Sequence, residues 1–420
     1  MYNVLIQEQI SGNVFDVSTL VHNIEHTTSL YGQPGKLTLN LKKDPNPKSE
    51  FQISCGSIVM FWCDKIPVFY GFIFNIKTDS TEDYRVIAYD QMRYLQNHDY
   101  MLIKDMSLID VFTTICNRLD IPIEARKILG QAKNQKSLLN EKHFADTSYF
   151  DMLQYAINES NNSRIITKTM NDDGSFTDNY YSETMKNQTP VLFFIRDNFG
   201  TLELNDINSN VKFRRINNDE GKSKLGWYGG KLVGYNEYNA PQLEPLIIGD
   251  ESLLINYEYT LDIDKETYNE VWVMYNDPNN KSKEVDDRND PDNKAEEVNG
   301  RNITTSDGRL LKYADDDKES KNKYRILRRI ENVKSVMTEA QIKQYAQLLL
   351  DNYSGPSRTM KIEALGFNGI NAGDGFVFRL NKLGIENMVY VLSATHHYNA
   401  DIHTMSLEVS TAKNMVEVLK

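Results

Sequence analysis

Three cysteines in 420 residues are too few for a disulfide framework, and Cys55, Cys63 and Cys116 stand at no spacing that resembles a metal knuckle. They read as small apolar core residues of a chain made in a reducing compartment. Basic charge is in short supply: 47 Lys and Arg against 59 Asp and Glu leave a formal net charge of -12. A broadly acidic surface repels phosphate backbones, which disfavours direct nucleic-acid binding without excluding a channel through which DNA passes. No apolar run approaches the roughly 20 residues of a membrane span. The first ten residues carry Asn3, Gln7, Glu8 and Gln9 instead of a basic start and an apolar stretch, so no export signal is expected. A chain of this kind acting outside the cell leaves it by lysis or within a particle. Proline is sparse at 11, whereas Tyr and Phe number 24 and 17, a balance that suits strands more than disordered tails. The length predicts about two to four domains.

The patterning predicts an α+β, mainly β protein in four parts. Residues 1–97 read as a small β-barrel: Lys36 to Leu41 alternates, Ile58 to Trp62 and Val68 to Phe74 are bulky, Asp64 to Pro67 reads as the turn between them, and Tyr84 to Asp90 closes the set. Residues 98–205 read as an inserted α/β domain. Leu108, Val111, Phe112, Ile115, Cys116 and Leu119 share one helix face, with Ser107 and Asp110 as its cap and Pro122 marking its end. A second helix is expected from Asp146-Thr147-Ser148, and short strands at Val191 to Ile195 and Thr201 to Leu204. Residues 206–330 form a further β-rich region, with strands at Leu253 to Tyr259 and Glu270 to Met274 and a long, charged, turn-rich surface loop at 277–323. Residues 331–420 begin with a helix opened by the capping pattern Thr338-Glu339-Ala340-Gln341 and ended by Ser354-Gly355-Pro356, then return to strands.

The two β-rich ends echo each other. Gly56-Ser57-Ile58-Val59-Met60-Phe61, a turn, and Val68 to Ile73 are answered by Gly373-Asp374-Gly375-Phe376-Val377-Phe378, a turn at Asn381 to Gly384, and Val389 to Ala394. Each unit follows an alternating strand, Leu37 to Leu41 or Met360 to Leu365, and precedes another, Tyr84 to Asp90 or His403 to Val409. A glycine ahead of a strand frees the backbone for a tight turn. Two related β-domains arranged threefold would present six similar walls, a shape that mates with a hexameric tube.

These runs carry a family likeness. Val86-Ile87-Ala88-Tyr89-Asp90-Gln91-Met92-Arg93-Tyr94-Leu95, the helix from Leu108 to Leu119, Thr267-Tyr268-Asn269-Glu270-Val271, and the closing Asn371-Ala372-Gly373-Asp374, Tyr390-Val391-Leu392, Thr395-His396-His397 and His403 to Val409 occur in an order that resembles the tail hub proteins of contractile phages, defective prophages and phage-tail bacteriocins, the late-control protein D and prophage tail hub family. The resemblance implies a virion structural protein of the baseplate, assembled in the bacterial cytoplasm and released by lysis in a phage or bacteriocin particle. It implies a homotrimeric, pseudo-hexameric ring between the hexameric tail tube and a central spike or tail lysin. Contacts with baseplate wedge proteins and a peptidoglycan-binding-type adaptor follow from the same likeness.

A peptidoglycan hydrolase is the alternative. Such an enzyme needs two carboxylates flanking a cleft, one with a raised pKa, and no acidic pair is singled out by an apolar setting in the sequence. His396, His397 and His403 are the sharpest metal candidates, but strand neighbours face opposite ways, so at most one of the first two points with His403. Gly226-Trp227-Tyr228-Gly229-Gly230 lacks the Lys-Ser/Thr of a phosphate cradle. Asp286, Asp290, Asp292 and Glu297 imitate a calcium loop, but Pro291 stands where that loop needs glycine and Arg288 where it needs an acidic or amide ligand. No catalytic, cofactor-binding or metal residue is therefore assigned, and no cofactor is expected.

Overall fold

The computed structural model describes residues 2–43, 53–78, 80, 83–136, 138–162, 166–170, 176–180, 193–215, 224–228, 231–235, 241–264, 267–275, 310–333, 346–347, 349–350, 353–399 and 402–410. The chain forms two compact units, one of residues 1–162, 189–259 and 359–420 and one of residues 163–188 and 260–358.

The N-terminal module contains β1 (Tyr2–Gln7), β2 (Val14–Asp16), β3 (Val21–Ser29), β4 (Lys36–Leu41), β5 (Ile58–Cys63), β6 (Ile66–Thr78) and β7 (Tyr84–Tyr89). The last four are the strands that alternation and bulk predict. The first three were not singled out, because inward positions of β3 are held by polar residues such as His26. Asp64 and Lys65, at φ 50° and 68°, make the β5–β6 turn in two residues. Ile66 and Pro67 are already in β6, a correction to the longer turn. Pro67 fits there because it stands opposite Trp62 at a register shift.

The insert contains β8 (His98–Ile103), α1 (Leu108–Arg118), β9 (Arg126–Ile128), β10 (Lys142–Ser148) and α2 (Tyr149–Asn162). The cap of α1 is reciprocal: the Asp110 N–H donates to Ser107 Oγ at 3.3 Å, and the Ser107 N–H to Asp110 Oδ2 at 2.8 Å. These Ser107 hydrogen bonds hold the Asp110 carboxyl below its usual range. Leu108, Val111, Phe112, Ile115 and Cys116 are buried as the spacing predicts. Ser107→Ala is expected to lower stability by about 1 kcal/mol, read from denaturant unfolding.

Further along come the hairpin of β11 (Ile166–Met170) with β12 (Phe176–Tyr180), and the hairpin of β13 (Phe193–Asp197) with β14 (Leu202–Asp206), which β9 joins in parallel. Next is a four-stranded sheet of β15 (Phe213–Arg215), β16 (Lys224–Tyr228), β17 (Lys231–Tyr235) and β18 (Pro241–Pro245), followed by β19 (Ile247–Gly249) and β20 (Leu254–Asp262).

In the second unit, β21 (Glu270–Tyr275) lies between β22 (Leu310–Asp316), antiparallel, and β23 (Arg328–Val333), parallel, with α3 (Lys318–Tyr324) before β23. Two expectations change here. The charged loop ends before residue 310, because Leu310 to Tyr324 is strand and helix; the calcium-like stretch and the capping pattern at Thr338 lie outside the described residues. The boundary at 330 falls inside β23. Val271 and Val273 bury against Ala346, Leu349, Leu350 and Tyr353. Asn269 explains the distinctive run at Thr267 to Val271: it is fully buried, its Nδ2 donates to the Arg325 carbonyl at 2.7 Å, and its Oδ1 accepts from the Leu327 N–H at 2.9 Å.

The C-terminal module contains β24 (Ser357–Leu365), β25 (Gly375–Leu380), β26 (Ile385–Tyr398) and β27 (His403–Ser410). Its strand order, β25-β26-β27-β24-β20, repeats the order β5-β6-β7-β4-β3 of the N-terminal module. The likeness extends to single hydrogen bonds. Gly56 and Gly373 have φ of 90° and 88°. The Gly56 N–H donates to Ile73 O at 2.8 Å and the Ile73 N–H to Ser57 O at 2.9 Å; the Gly373 N–H donates to Val391 O and the Val391 N–H to Asp374 O, both at 2.8 Å. β6 bulges against β7 between Ile73 and Asn75, and β26 against β27 between Val391 and Ser393. The register corrects one detail of the echo: laid side by side, the runs set Phe69 against Tyr390, whereas the strand pairing sets Phe72 there. The modules are not separate bodies. β3 pairs with β26, so both belong to one 13-stranded sheet.

Candidate functional site

The seam between β3 and β26 is where the two modules become one wall. Its pairs include Thr395 with Thr27, His396 with His26, His397 with Glu25 and Tyr398 with Ile24. Alternation sends His396, Tyr398, His26 and Ile24 into the core, where each is almost fully buried. His397 faces outward, 3.8 Å from Glu25. Of the predicted histidines the structure thus brings together His396 and His403 and excludes His397, as alternation requires. It adds His26, which periodicity missed because nothing in the first 35 residues fixes which strand its own strand meets.

His396 Nε2 donates to the Ile370 carbonyl at 2.7 Å, so its Nδ1 accepts from His403 Nε2 at 2.9 Å. Both His396 nitrogens are engaged, which leaves it no lone pair for a metal ion. Among the described residues no group of three or more His, Cys, Asp or Glu is placed to hold one. The His403 ring stacks on Tyr398, centroids 4.1 Å apart, and His26 meets Phe69 edge-on. Burial, and repulsion between His26 and His396, bring His26 down to about 3; burial brings His396 and His403 down to about 4. The seam is built to hold these imidazoles neutral.

The insert fastens both modules. Its β13–β14 hairpin places Phe199 against Trp62 and Tyr70 of the N-terminal module, and Gln91 Nε2 donates to the Gly200 carbonyl. On the C-terminal side, Arg196 of β13 reaches Asp374 Oδ1 at 2.8 Å, Glu203 at 3.2 Å and Asn210 Oδ1 at 2.9 Å. Asp374 Oδ2 also takes Lys212 at 3.2 Å and the Asn371 N–H at 2.8 Å. Phe194 covers Gly373 so closely that a Cβ there has no room.

A pair of buried carboxyls, Asp90 and Asp197, is the feature a hydrolase reading must reckon with. Burial, then the Asp197 charge, pushes Asp90 well up; burial, opposed by the Gly200 N–H and aided by Glu203, pushes Asp197 up to about 7. Yet Asp90 is closed in, accepting from the Gly35 N–H at 2.8 Å and the Met92 N–H at 3.0 Å. Asp197 accepts from the Gly200 N–H at 2.9 Å, and the backbone N–H of Gln91 also favours its charged form. A pocket lined by Leu30, Gly32, Phe150, Ile157, Phe193 and Ile195, among others, contains neither a carboxylate nor a histidine. Among the described residues these acids brace a turn.

The model of a family described as YQBQ-like matches residues 24–222 and 301–410. Phage-like element PBSX protein XkdQ of Bacillus subtilis (strain 168) is 27% identical over 112 residues, a stretch that spans 26% of this chain and 34% of that protein. The 43 kDa tail protein of prophage MuSo2 from Shewanella oneidensis shares the fold with a TM-score of 0.57 at 11% identity, over 98% of this chain and 99% of that one. The tail protein from Neisseria meningitidis MC58 does so with a TM-score of 0.53 at 11% identity, over 98% of each. The resemblance to prophage tail proteins drawn from the sequence, and the mainly β, α+β fold class, are borne out.

Proposed function

The chain belongs to the YQBQ-like family, and from that premise we propose that it is a structural hub at the tip of a phage-type contractile tail. Three copies form a ring of six modules that joins the hexameric tail tube to a trimeric spike or tail lysin, with baseplate wedge proteins and a peptidoglycan-binding-type adaptor at its rim. The observation that carries this reading is the duplication: two modules of one strand order, matched at the glycine turn that enters β5 and β25 and at the bulge of β6 and β26, lie edge to edge in one sheet. Such a chain presents two near-equal walls, which is what a threefold adapter to a sixfold tube requires. The buried network at Arg196 and Asp374 supports the same role, because it fixes the insert on a module and lets force pass between rigid parts.

The reading makes the chain a non-enzyme. Mass photometry of the full chain, alone and with its tube and spike partners, should show a trimer, and a zymogram on peptidoglycan should stay blank. A monomer under every condition, or clearing of the gel that is lost in Asp197→Asn, would overturn it.

A further inference from the structure

The duplication leaves each chain with one seam filled and the two halves of another unfilled. In the filled seam, β25 pairs with β26 as far as Tyr390, and β3 takes over that edge from Ser393 to Tyr398. In the N-terminal module, β5 pairs with β6 as far as Phe72, and among the described residues no strand takes the edge beyond it. The counterpart of β3 is β20, the last strand of the sheet path beside β24. We propose that these two edges join between copies: β6 of one chain pairs antiparallel with β20 of the next, reproducing the β26–β3 seam. This rests on the hub reading and names the contact that closes its ring.

The filled seam fixes the register. The Lys42 N–H donates to Leu20 O at 2.9 Å, and the Leu365 N–H to Leu253 O at 2.8 Å, so Leu253 stands where Leu20 does. Both Leu254 and Tyr259 pack on the C-terminal core although their positions differ by an odd number, so β20 needs an extra residue, as β3 has where its register against β4 shifts between Val21 and Asn23. Tyr257, whose ring meets Phe378, then matches Ile24, Tyr259 matches His26 and Leu261 matches Thr28. The Phe72–Tyr390 match makes Ile76 the counterpart of Ala394 and Lys77 that of Thr395. Transferring the seam sets Asn75 opposite Asp262, Ile76 opposite Leu261, Lys77 opposite Thr260 and Thr78 opposite Tyr259 of the partner subunit.

The residue chemistry fits that register. Ile76 meets an apolar partner on the inner face. Lys77 falls on the outer face between Glu258 and Asp262, its diagonal neighbours across the strands. The exposure fits as well. Ile24 and His26 are buried under the filled seam, whereas Tyr257 is 39% exposed, Leu261 57% and Phe74 37%. Singly exposed apolar side chains are ordinary, but an uncapped strand edge carrying several of them is a pairing surface. The contact is head-to-tail, so it propagates until the ring closes.

The test uses the full chain with Cys55→Ser, which removes the exposed native thiol. Ile76→Cys combined with Leu261→Cys is oxidised under conditions where mass photometry shows the trimer. Reducible cross-links that join chains into a closed trimer are expected, at least tenfold more than for Ile76→Cys combined with Ile255→Cys. A trimer whose matched pair cross-links no better than the mismatched one overturns the pairing and leaves the hub reading standing. Failure to assemble, with or without tube and spike proteins, overturns both. Lys77→Glu, on the exposed edge, gives a second readout free of thiol chemistry. It should weaken assembly at least tenfold, and Asp262→Lys in the same chain should restore it; unchanged assembly in Lys77→Glu counts against the pairing.

Discussion

Asp374→Ala is expected to lower the unfolding free energy by about 3–5 kcal/mol, the largest loss for any single side chain outside the apolar core. The reason is what the change leaves behind. Asp374 is fully buried and receives Arg196, Lys212 and the Asn371 N–H within 3.2 Å. Without it a buried guanidinium keeps one carboxylate, Glu203, and loses the partner that lies nearest, while a backbone N–H goes unsatisfied. Its counterpart in the other module offers a control inside the same molecule. Ser57 occupies the same turn, equally buried, and among the described residues its hydroxyl meets only Ser54 at 3.0 Å. Ser57→Ala should therefore cost about 1 kcal/mol. Asp374→Ser, which copies that counterpart, should not recover the loss, because Arg196 remains. Urea unfolding of the three variants decides this, and near-equal losses at Ser57 and Asp374 would contradict the account. A double-mutant cycle of Arg196→Met with Asp374→Ala should show coupling of at least ~2 kcal/mol.

Between pH 4 and 8, Asp197→Asn should gain about 4 kcal/mol of stability relative to the wild type, with the gain absent at the acid end. The sign follows from proton binding. Burial raises the Asp197 carboxyl from 3.8 to about 7 in the folded chain. The folded state binds the proton more tightly than the unfolded state does. Its contribution is present at low pH and is lost as pH rises through 7, where the folded protein must hold a buried carboxylate. Asparagine keeps the hydrogen bond from the Gly200 N–H and never ionises. The histidines act the other way over an overlapping window. His26 falls from 6.5 to about 3, and His396 from 6.5 to about 4. Here the unfolded state binds the proton more tightly, so stability is present above 6.5 and is lost as pH falls. At pH 5 each forfeits about 2 kcal/mol relative to pH 7. His26→Phe should thus stabilise relative to the wild type by about 2 kcal/mol more at pH 5 than at pH 7. In the wild type the opposed contributions partly cancel, so only the variants reveal them. Chemical denaturation at unit pH steps measures both, and parallel wild-type and variant curves would rule the assignments out.

Much of this molecule was legible in its residues. Alternation from Lys36 to Leu41 and bulk from Ile58 to Phe74 placed strands, because a sheet with one buried face needs apolar residues at every second position. The 3.6-residue spacing from Leu108 to Cys116 placed a helix, and Ser107 with Asp110 placed its start. The glycines ahead of β5 and β25 marked two copies of one turn, since both need a backbone angle that other residues resist. From these the duplicated, mainly β character could be read.

What the sequence could not decide was adjacency. Nothing local says that β3 meets β26, because the pairing joins residues more than 360 positions apart and is chosen by which edges remain after each module has closed on itself. The same holds for Asp90 beside Asp197 and for Arg196 on Asp374: each is one acid or base among many until the fold removes water from around it, and only then does its partner become obligatory. Local periodicity determined the elements, since it is a property of consecutive residues. Tertiary structure alone determined which edges and charges face one another, since desolvation acts on neighbours in space.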